Sequence, residues 1–193
     1  MGAGRNGGLG QNAVADVASP VQIPGTTWSN VAVGMYGGSA VNTDGELWSW
    51  GYNFYGQVGD SSKTQRSSPV QIPGTTWSKP VKGVDSSGAV KTDGTLWRWG
   101  RNEAGQLGQN NTTQYSSPKQ IPGTTWSDGV ADQYTTWATK TDGTLWGFGM
   151  GGSGQLGQNS VTYTSSPVQI GSGTDWFSIS PATQGFLAST KST

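Results

Sequence analysis

Short apolar runs alternate with polar turns along the chain, and the alternation returns about every 49 residues. A polar Thr-Asp-Gly phrase precedes a strand-like apolar run in three places, at 47–50, 96–99 and 145–148. A second phrase, Pro-Gly-Thr-Thr-Trp or its relative, recurs at spacings of 49, 49 and 50, with the tryptophans Trp28, Trp77, Trp126 and Trp176. Two unrelated phrases that share one period predict a repeated structural unit.

Four such units account for the whole chain of 193 residues. Counted from the glycine after each apolar run, they span 4–50, 51–99, 100–148 and 149–193. The fourth unit ends where its copies read Thr-Asp-Gly and a further strand, whereas residues 1–4 align with 97–100. We therefore expect one domain, 1–193, in which residues 1–3 supply the strand that the fourth unit lacks.

Each unit is predicted to be β structure. Asp-Gly between two extended runs favours a hairpin with a two-residue loop. Such a loop places Val41 opposite Trp48 and Ser39 opposite Trp50. Further strands are expected at Ser-Pro-Val-Gln-Ile and after each Trp-Ser. Since no window of 11 or more residues has helical periodicity, almost no helix is expected.

Units of about 49 residues with four short strands are typical of β-propeller blades. The sequence thus predicts an all-β propeller of four blades, closed by pairing residues 1–4 with 185–192. Pairing of this kind would cover two sheet edges that could otherwise template aggregation. The alternative is a homodimer in which two chains form one eight-bladed ring.

Composition narrows the possible chemistry. The chain has no His and no Cys, so His-based triads, imidazole bases, thiolate nucleophiles and zinc clusters are excluded. An enzyme would need converging carboxylates, with Asp85 and Asp132 the nearest candidates. The hairpin aspartates Asp44, Asp93 and Asp142 are interpreted as turn formers. We therefore predict no enzymatic activity, no cofactor and no metal.

Charge and hydropathy exclude other classes of partner. The chain has 11 basic and 11 acidic residues, so it offers no net charge to attract nucleic acid or an anionic membrane. Ten Trp at zero net charge indicate a folded chain with a Trp-rich core. No apolar run approaches the ~18 residues of a membrane span, and the N-terminus lacks an apolar leader. A soluble protein is expected, in a compartment that the sequence leaves open.

The string W-x-W-G-x-N-x-x-G-Q-L-G at 97–108, followed by S-S-P and by A-x-K-T-D-G-T-L-W, resembles the regulator of chromosome condensation repeat family. The resemblance covers essentially the whole chain and implies a β-propeller. Well-known members have seven blades and include a guanine-nucleotide exchange factor that binds chromatin, so GTPase regulation is implied by analogy only. With four units, no family Gly-x-x-His-Thr phrase and no large insertion, this chain inherits no residue-level role.

Positions that differ between the units can be specialised for a partner. One set precedes each Ser-Ser-Pro, at 63–66, 112–115 and 161–164, and another precedes each Ala strand, at 35–36, 84–85, 133–134 and 183–184. Because equivalent positions lie on the same side of a ring, each set should form a patch. The predicted partner-binding residues are Tyr36, Phe54, Tyr55, Asp85, Tyr115, Tyr134 and Tyr163.

Tyrosine mixed with Thr, Asn and Gln suits the surface of a protein or a glycan. The sequence therefore favours a binding or scaffold module with a protein or glycan partner, acting as a monomer or a homodimer. The alternative is a structural component of a larger assembly, such as a phage particle or a surface appendage.

Overall fold

The structure is a computed structural model that describes residues 4–25, 27–182 and 185–190. It contains three four-stranded antiparallel sheets and one two-stranded sheet, each with its strands hydrogen-bonded in chain order. The described residues contain one helical turn, the 3₁₀ turn Arg5–Gly7. The prediction of an all-β chain with almost no helix is confirmed. No helix in these ranges has the length and apolar character needed to span a bilayer.

We call each four-stranded sheet a blade. Blade 1 contains β1 (Trp28–Gly34), β2 (Gly37–Asn42), β3 (Leu47–Gly51) and β4 (Arg66–Ile72). Blade 2 contains β5 (Trp77–Lys82), β6 (Ser86–Lys91), β7 (Leu96–Gly100) and β8 (Tyr115–Gln120). Blade 3 contains β9 (Trp126–Ala131), β10 (Thr135–Lys140), β11 (Leu145–Gly149) and β12 (Thr164–Gln169). The two-stranded sheet, half-blade 4, contains β13 (Trp176–Ala182) and β14 (Gly185–Thr190).

The hairpin loop between the second and third strands is one residue longer than the sequence predicted. In blade 1 the backbone N–H of Asn42 donates to the carbonyl of Glu46, and the N–H of Gly45 donates to the carbonyl of Asn42. The loop therefore has three residues, 43–45, and the left-handed conformation is confined to Gly45 (φ 74°). A three-residue loop that ends in a left-handed glycine is a common hairpin type.

The longer loop shifts the register, so the predicted pairs Val41–Trp48 and Ser39–Trp50 are wrong by one residue. Small residues lie opposite large ones in the observed register: Ala40–Trp48, Ala89–Trp97 and Ala138–Trp146. The neighbouring pairs on the other face are Ser39–Ser49, Gly88–Arg98 and Trp137–Gly147. In these five pairs with a bulky residue on one strand, the partner strand carries glycine or alanine, as close packing requires.

Aromatic and aliphatic side chains fill the space between neighbouring blades. Between blades 1 and 2, the buried residues include Val41, Leu47 and Ile72 on one side and Trp77 and Trp99 on the other. Equivalent clusters lie between blades 2 and 3 and between blade 3 and half-blade 4. The core is Trp-rich, as the composition indicated.

Contacts between blades place their first strands on the inner side of the arc, because β1 contacts β5, β5 contacts β9 and β9 contacts β13. The β1–β2 and β3–β4 loops and their equivalents lie at one end of the sheets, which we call the loop face. The β2–β3 hairpin and the Pro-Gly-Thr-Thr segment lie at the other end, which we call the hairpin face.

The predicted closure pairs residues 1–4 with 185–192, and residues 1–3 lie outside the described residues. Gly4 donates its backbone N–H to Asp16 Oδ1 at 2.9 Å. The segment after it packs on blade 1 as the β3–β4 loop of blade 1 packs on blade 2. Trp50 Nε1 donates to the carbonyl of Gly8 (3.1 Å), as Trp99 Nε1 donates to the carbonyl of Gln57 (3.2 Å). Residues 4–10 therefore occupy the place of a loop from a preceding repeat.

Candidate functional site

An open groove of about 630 Å³ lies on the loop face, where blades 1, 2 and 3 approach one another. Met35 and Tyr36 from the β1–β2 loop form one wall, and Val84 and Asp85 from the β5–β6 loop form the next. Gln133, from the β9–β10 loop, contributes from blade 3. The structure thus brings together the varying positions that precede each Ala strand.

Arg101 lines the groove and lies against two tyrosines from different blades. Its guanidinium carbon is 4.9 Å from the ring centroid of Tyr55 and 5.0 Å from that of Tyr134. Nη1 contacts Asp85 Oδ2 at 3.2 Å, and Nη2 contacts Glu103 Oε2 at 2.6 Å. The hydrogen bond to Glu103 and, to a smaller extent, the one to Asp85 raise the pKa of Arg101, so the guanidinium stays charged. A planar cation is thereby fixed in one orientation.

Four aromatic rings continue from this arginine to the rim. The ring centroids of Tyr36 and Tyr52 are 5.8 Å apart, those of Tyr52 and Phe54 are 6.3 Å apart, and those of Phe54 and Tyr55 are 5.0 Å apart. Phe54 is 60% exposed, and Met35, which lines the groove next to Tyr36, is 72% exposed. The rings hold one another in place and leave apolar area open to solvent.

Tyr115 and Tyr163 do not join this group. Tyr115 begins β8, is half-buried, packs against the cluster between blades 1 and 2, and receives a hydrogen bond from Asn111 Nδ2 (3.2 Å). Tyr163 precedes β12 on the outer edge of blade 3 and is 56% exposed. Both are on the loop face but at its periphery. A partner-binding role for any of the seven predicted residues stays a prediction.

Sequence reasoning missed Arg101 and Tyr52. A signal for them exists, because the residue after the glycine that ends each third strand differs in every unit: Tyr52, Arg101 and Met150. This is the same kind of inter-repeat variation that selected the other candidates. The functional interest of this position is apparent only in the structure, where two blades place tyrosines on both sides of Arg101.

The carboxylates near the groove have structural partners. Asp85 is bound to Arg101, and Asp132 accepts backbone N–H groups of Tyr134 (2.8 Å) and Thr135 (2.6 Å). Burial raises the pKa of Asp132. Across residues 4–25, 27–182 and 185–190, no cluster of three or more His, Cys, Asp or Glu could hold a metal ion.

Comparison with known families decides the assignment of the repeat. The model of the Regulator of chromosome condensation (RCC1) repeat matches residues 44–88, 93–129 and 142–180, which is more than half of the chain. The protein belongs to the RCC1 repeat family. The resemblance predicted from the sequence is therefore confirmed, and so is the β-propeller class of its fold.

Solved RCC1-type structures have the same fold. The crystal structure of human WBSCR16 matches with a TM-score of 0.75 and 23% identity, over 89% of this chain and 46% of that chain. Prp20p from Saccharomyces cerevisiae matches with a TM-score of 0.75 and 19% identity, over 87% and 44%. Yeast RCC1 (Prp20) bound to Kap60 matches with a TM-score of 0.66 and 20% identity, over 75% and 37%.

This RCC1-type chain spans less than half the length of those three proteins. Identities this low show a common fold and nothing of function. No curated protein matches the chain significantly.

Proposed function

We propose that this RCC1-type protein is a non-enzymatic binding module whose groove on the loop face holds a segment of a partner protein. The observation that carries the proposal is Arg101, fixed between Tyr55 and Tyr134 beneath a rim of exposed Phe54 and Met35. Tyr, Phe, Met and Arg are the residues enriched in protein interfaces, and Tyr and Arg are frequent hot spots.

Exposed apolar side chains at the groove suit a protein partner. Met35 and Val84 line the groove, and Phe54 beside it adds apolar area that a hydrophobic peptide side chain would cover. Asp85 and Glu103 outnumber Arg101 here, so a segment with an apolar residue and a nearby basic one would be complementary. The absence of His and Cys from the sequence and the paired carboxylates support a non-enzymatic role.

Two of the related structures concern protein partners. The structure of Prp20p was determined together with its binding properties to Gsp1p and histones, and a second structure shows yeast RCC1 (Prp20) bound to Kap60. They support the general class of partner, a protein, and the groove supplies the specific surface. Regulation of a GTPase has no further support from the residues of this chain.

A photo-reactive phenylalanine analogue at position 54 should cross-link to the partner in the native host, because Phe54 is exposed on the rim. The same analogue at Val161, which is similarly exposed (66%) on the loop before β12 and is not one of the predicted partner-binding residues, is the matched control. Adding Tyr55→Ala should weaken the cross-link roughly thirtyfold, since hot-spot truncations cost about 2 kcal/mol. The yield of each adduct is measured by mass spectrometry. Equal adducts from both positions, or no effect of Tyr55→Ala on a folded variant, would contradict the proposal.

The inner strand of blade 1 suggests how copies of the chain associate. Val31 is 67% exposed and Val33 is 80% exposed. The residues equivalent to Val33 in blades 2 and 3, Lys82 and Ala131, are only 8% and 4% exposed, because the preceding blade covers them. Leu187 of half-blade 4 is 69% exposed at the position equivalent to buried Trp137. In a closed dimer, half-blade 4 of each copy would cover β1 of the other copy. Both exposed apolar surfaces of each chain would then be buried.

We therefore expect a head-to-tail homodimer, the eight-bladed alternative of the sequence analysis. Light scattering should give twice the monomer mass of 20.1 kDa. Val33→Glu should return the mass to that of the monomer, because it places a charge in the interface. Val161→Glu, a loop position that is 66% exposed, should leave the dimer intact. A parent chain of monomer mass, or a dimeric Val33→Glu variant, would refute this arrangement.

A further inference from the structure

Blades 2 and 3 each hold a lysine ammonium against two tryptophans on the hairpin face. In blade 2, Lys91 Nζ lies 4.6 Å from the ring centroid of Trp77 and 5.0 Å from that of Trp97. Blade 3 repeats this at 4.8 and 4.1 Å, with Lys140, Trp126 and Trp146. The two indoles meet edge to face in both blades, with centroids 6.1 Å apart and ring planes at 78°. The repeat thus includes a cation–π site that the chain fills with its own lysine.

Blade 1 keeps the tryptophan pair but not the lysine. Trp28 and Trp48 also meet edge to face, with centroids 6.4 Å apart and ring planes at 80°. The strand partner of Trp28 is Asn42, just as the strand partner of Trp77 is Lys91. The short amide of Asn42 turns to Glu46 Oε2 (2.8 Å) instead of lying over the rings.

Blade 1 also has a carboxylate at a repeat position where blades 2 and 3 have threonine. In blade 2, Thr95 Oγ1 accepts the indole N–H of Trp97 at 2.9 Å. Glu46 has the position of that threonine in blade 1, and the buried Nε1–H of Trp48 has no hydrogen-bond partner among the described residues. The other oxygen of Glu46, Oε1, accepts a hydrogen bond from Gln71 Nε2 at 3.1 Å. Relative to blades 2 and 3, this region of blade 1 lacks the lysine and carries a carboxylate.

An open pocket of about 280 Å³ borders the same two indoles. Its other walls are Pro24 and Gly25, from the segment before β1, and Ser68 and Pro69, from β4. These walls are mostly apolar, and they suit the methylene groups of an extended side chain whose charged end meets the indole rings.

We propose that the Trp28–Trp48 pair of blade 1 binds the ammonium group of a lysine side chain presented by a partner protein, with Glu46 as its counter-charge. The occupant is inferred from this chain itself, because Lys91 and Lys140 fill the equivalent positions of the next two blades. The site lies on the hairpin face, at the opposite strand ends from the groove. This proposal is therefore tested independently of the proposed function.

Butylammonium chloride is a suitable probe, because it reproduces the end of a lysine side chain. Added to ¹⁵N-labelled protein at constant ionic strength, it should shift the indole N–H resonances of Trp28 and Trp48 saturably, in the millimolar range expected of a single exposed cation–π site. The indoles of Trp77 and Trp97 are an internal control, since Lys91 already occupies their site. Butanol, the neutral analogue, should bind at least about tenfold more weakly.

Two substitutions in blade 1 separate the contribution of the missing lysine from that of the Glu46 carboxylate. Asn42→Lys restores the internal lysine of blades 2 and 3 and should abolish the response. Glu46→Thr removes the counter-charge, restores an acceptor for Trp48 and should weaken binding several-fold. Equal binding of butanol and butylammonium would show an apolar pocket only. That result, an equal response of the Trp77–Trp97 pair, or an unchanged response in folded Asn42→Lys and Glu46→Thr would overturn the assignment.

Discussion

Trp137→Ala is expected to lower the free energy of unfolding by about 3–5 kcal/mol, the usual cost of truncating a buried tryptophan. Trp137 is fully buried and packs with Leu145, Ile170 and Ile179 between blade 3 and half-blade 4. Its partner on β11 is Gly147, which has no side chain to fill the cavity. Chemical denaturation followed by circular dichroism measures the loss.

Two matched variants make this result interpretable. Phe177→Ala removes an aromatic ring from half-blade 4 that is 67% exposed, so it should change stability by no more than about 0.5 kcal/mol. Trp137→Phe keeps most of the packing but removes the hydrogen bond from Nε1 to the carbonyl of Gln155, for an expected loss of about 1 kcal/mol from that bond. If Trp137→Ala costs no more than Phe177→Ala, half-blade 4 is not docked through this side chain.

The strands of this propeller could be predicted from the sequence because each one repeats. Tryptophan at the start of the first strand, alanine within the second and Leu-Trp in the third return at a constant spacing, and an accidental pattern would not recur in three copies. The register could not be predicted in the same way. Two-residue and three-residue loops use the same Asp-Gly, and the choice between them depends on a backbone hydrogen bond from Asn42 to Glu46.

The sequence predicts some residues of the groove but not the position of Arg101. Positions that precede each Ala strand lie at one end of every blade, so their meeting follows from the repeat alone. The place of Arg101 does not, since its two tyrosine neighbours belong to segments 79 residues apart, Tyr55 and Tyr134. Their separation depends on the angle between blades, and that angle is set by core packing on both sides.

The burial of Lys82 could not be predicted from the sequence either. It lies at the end of Trp-Ser-Lys-Pro-Val-Lys, a strand pattern in which a lysine is normally solvated. Blade 1 covers this strand, so Lys82 is only 8% exposed, and its Nζ donates to Ser87 Oγ at 2.8 Å. Burial and the charge of Arg98 lower the pKa of Lys82 from 10.5 to about 7.

This buried amine predicts a large dependence of stability on pH. Between about pH 7 and pH 10.5, the unfolded chain binds a proton at Lys82 that the folded chain does not. The free energy of unfolding should therefore rise with pH through this window, by about 1.4 kcal/mol per unit at most, and level off below pH 7. Urea denaturation at pH 6, 7, 8 and 9 measures this slope as a gain of roughly 2–3 kcal/mol between pH 7 and 9.

Lys82→Met should remove that slope and make the protein more stable than the parent at pH 6, where the parent has to bury a charged ammonium. The change leaves Ser87 satisfied, because its hydroxyl donates to the carbonyl of Gln57 at 2.6 Å. Lys63→Met, at an exposed loop position, is the control and should keep the slope of the parent. Burial also lowers the pKa of Arg98, to about 9, so the comparison is made at pH 9 and below. A parental slope retained in Lys82→Met would show that another group carries the pH dependence.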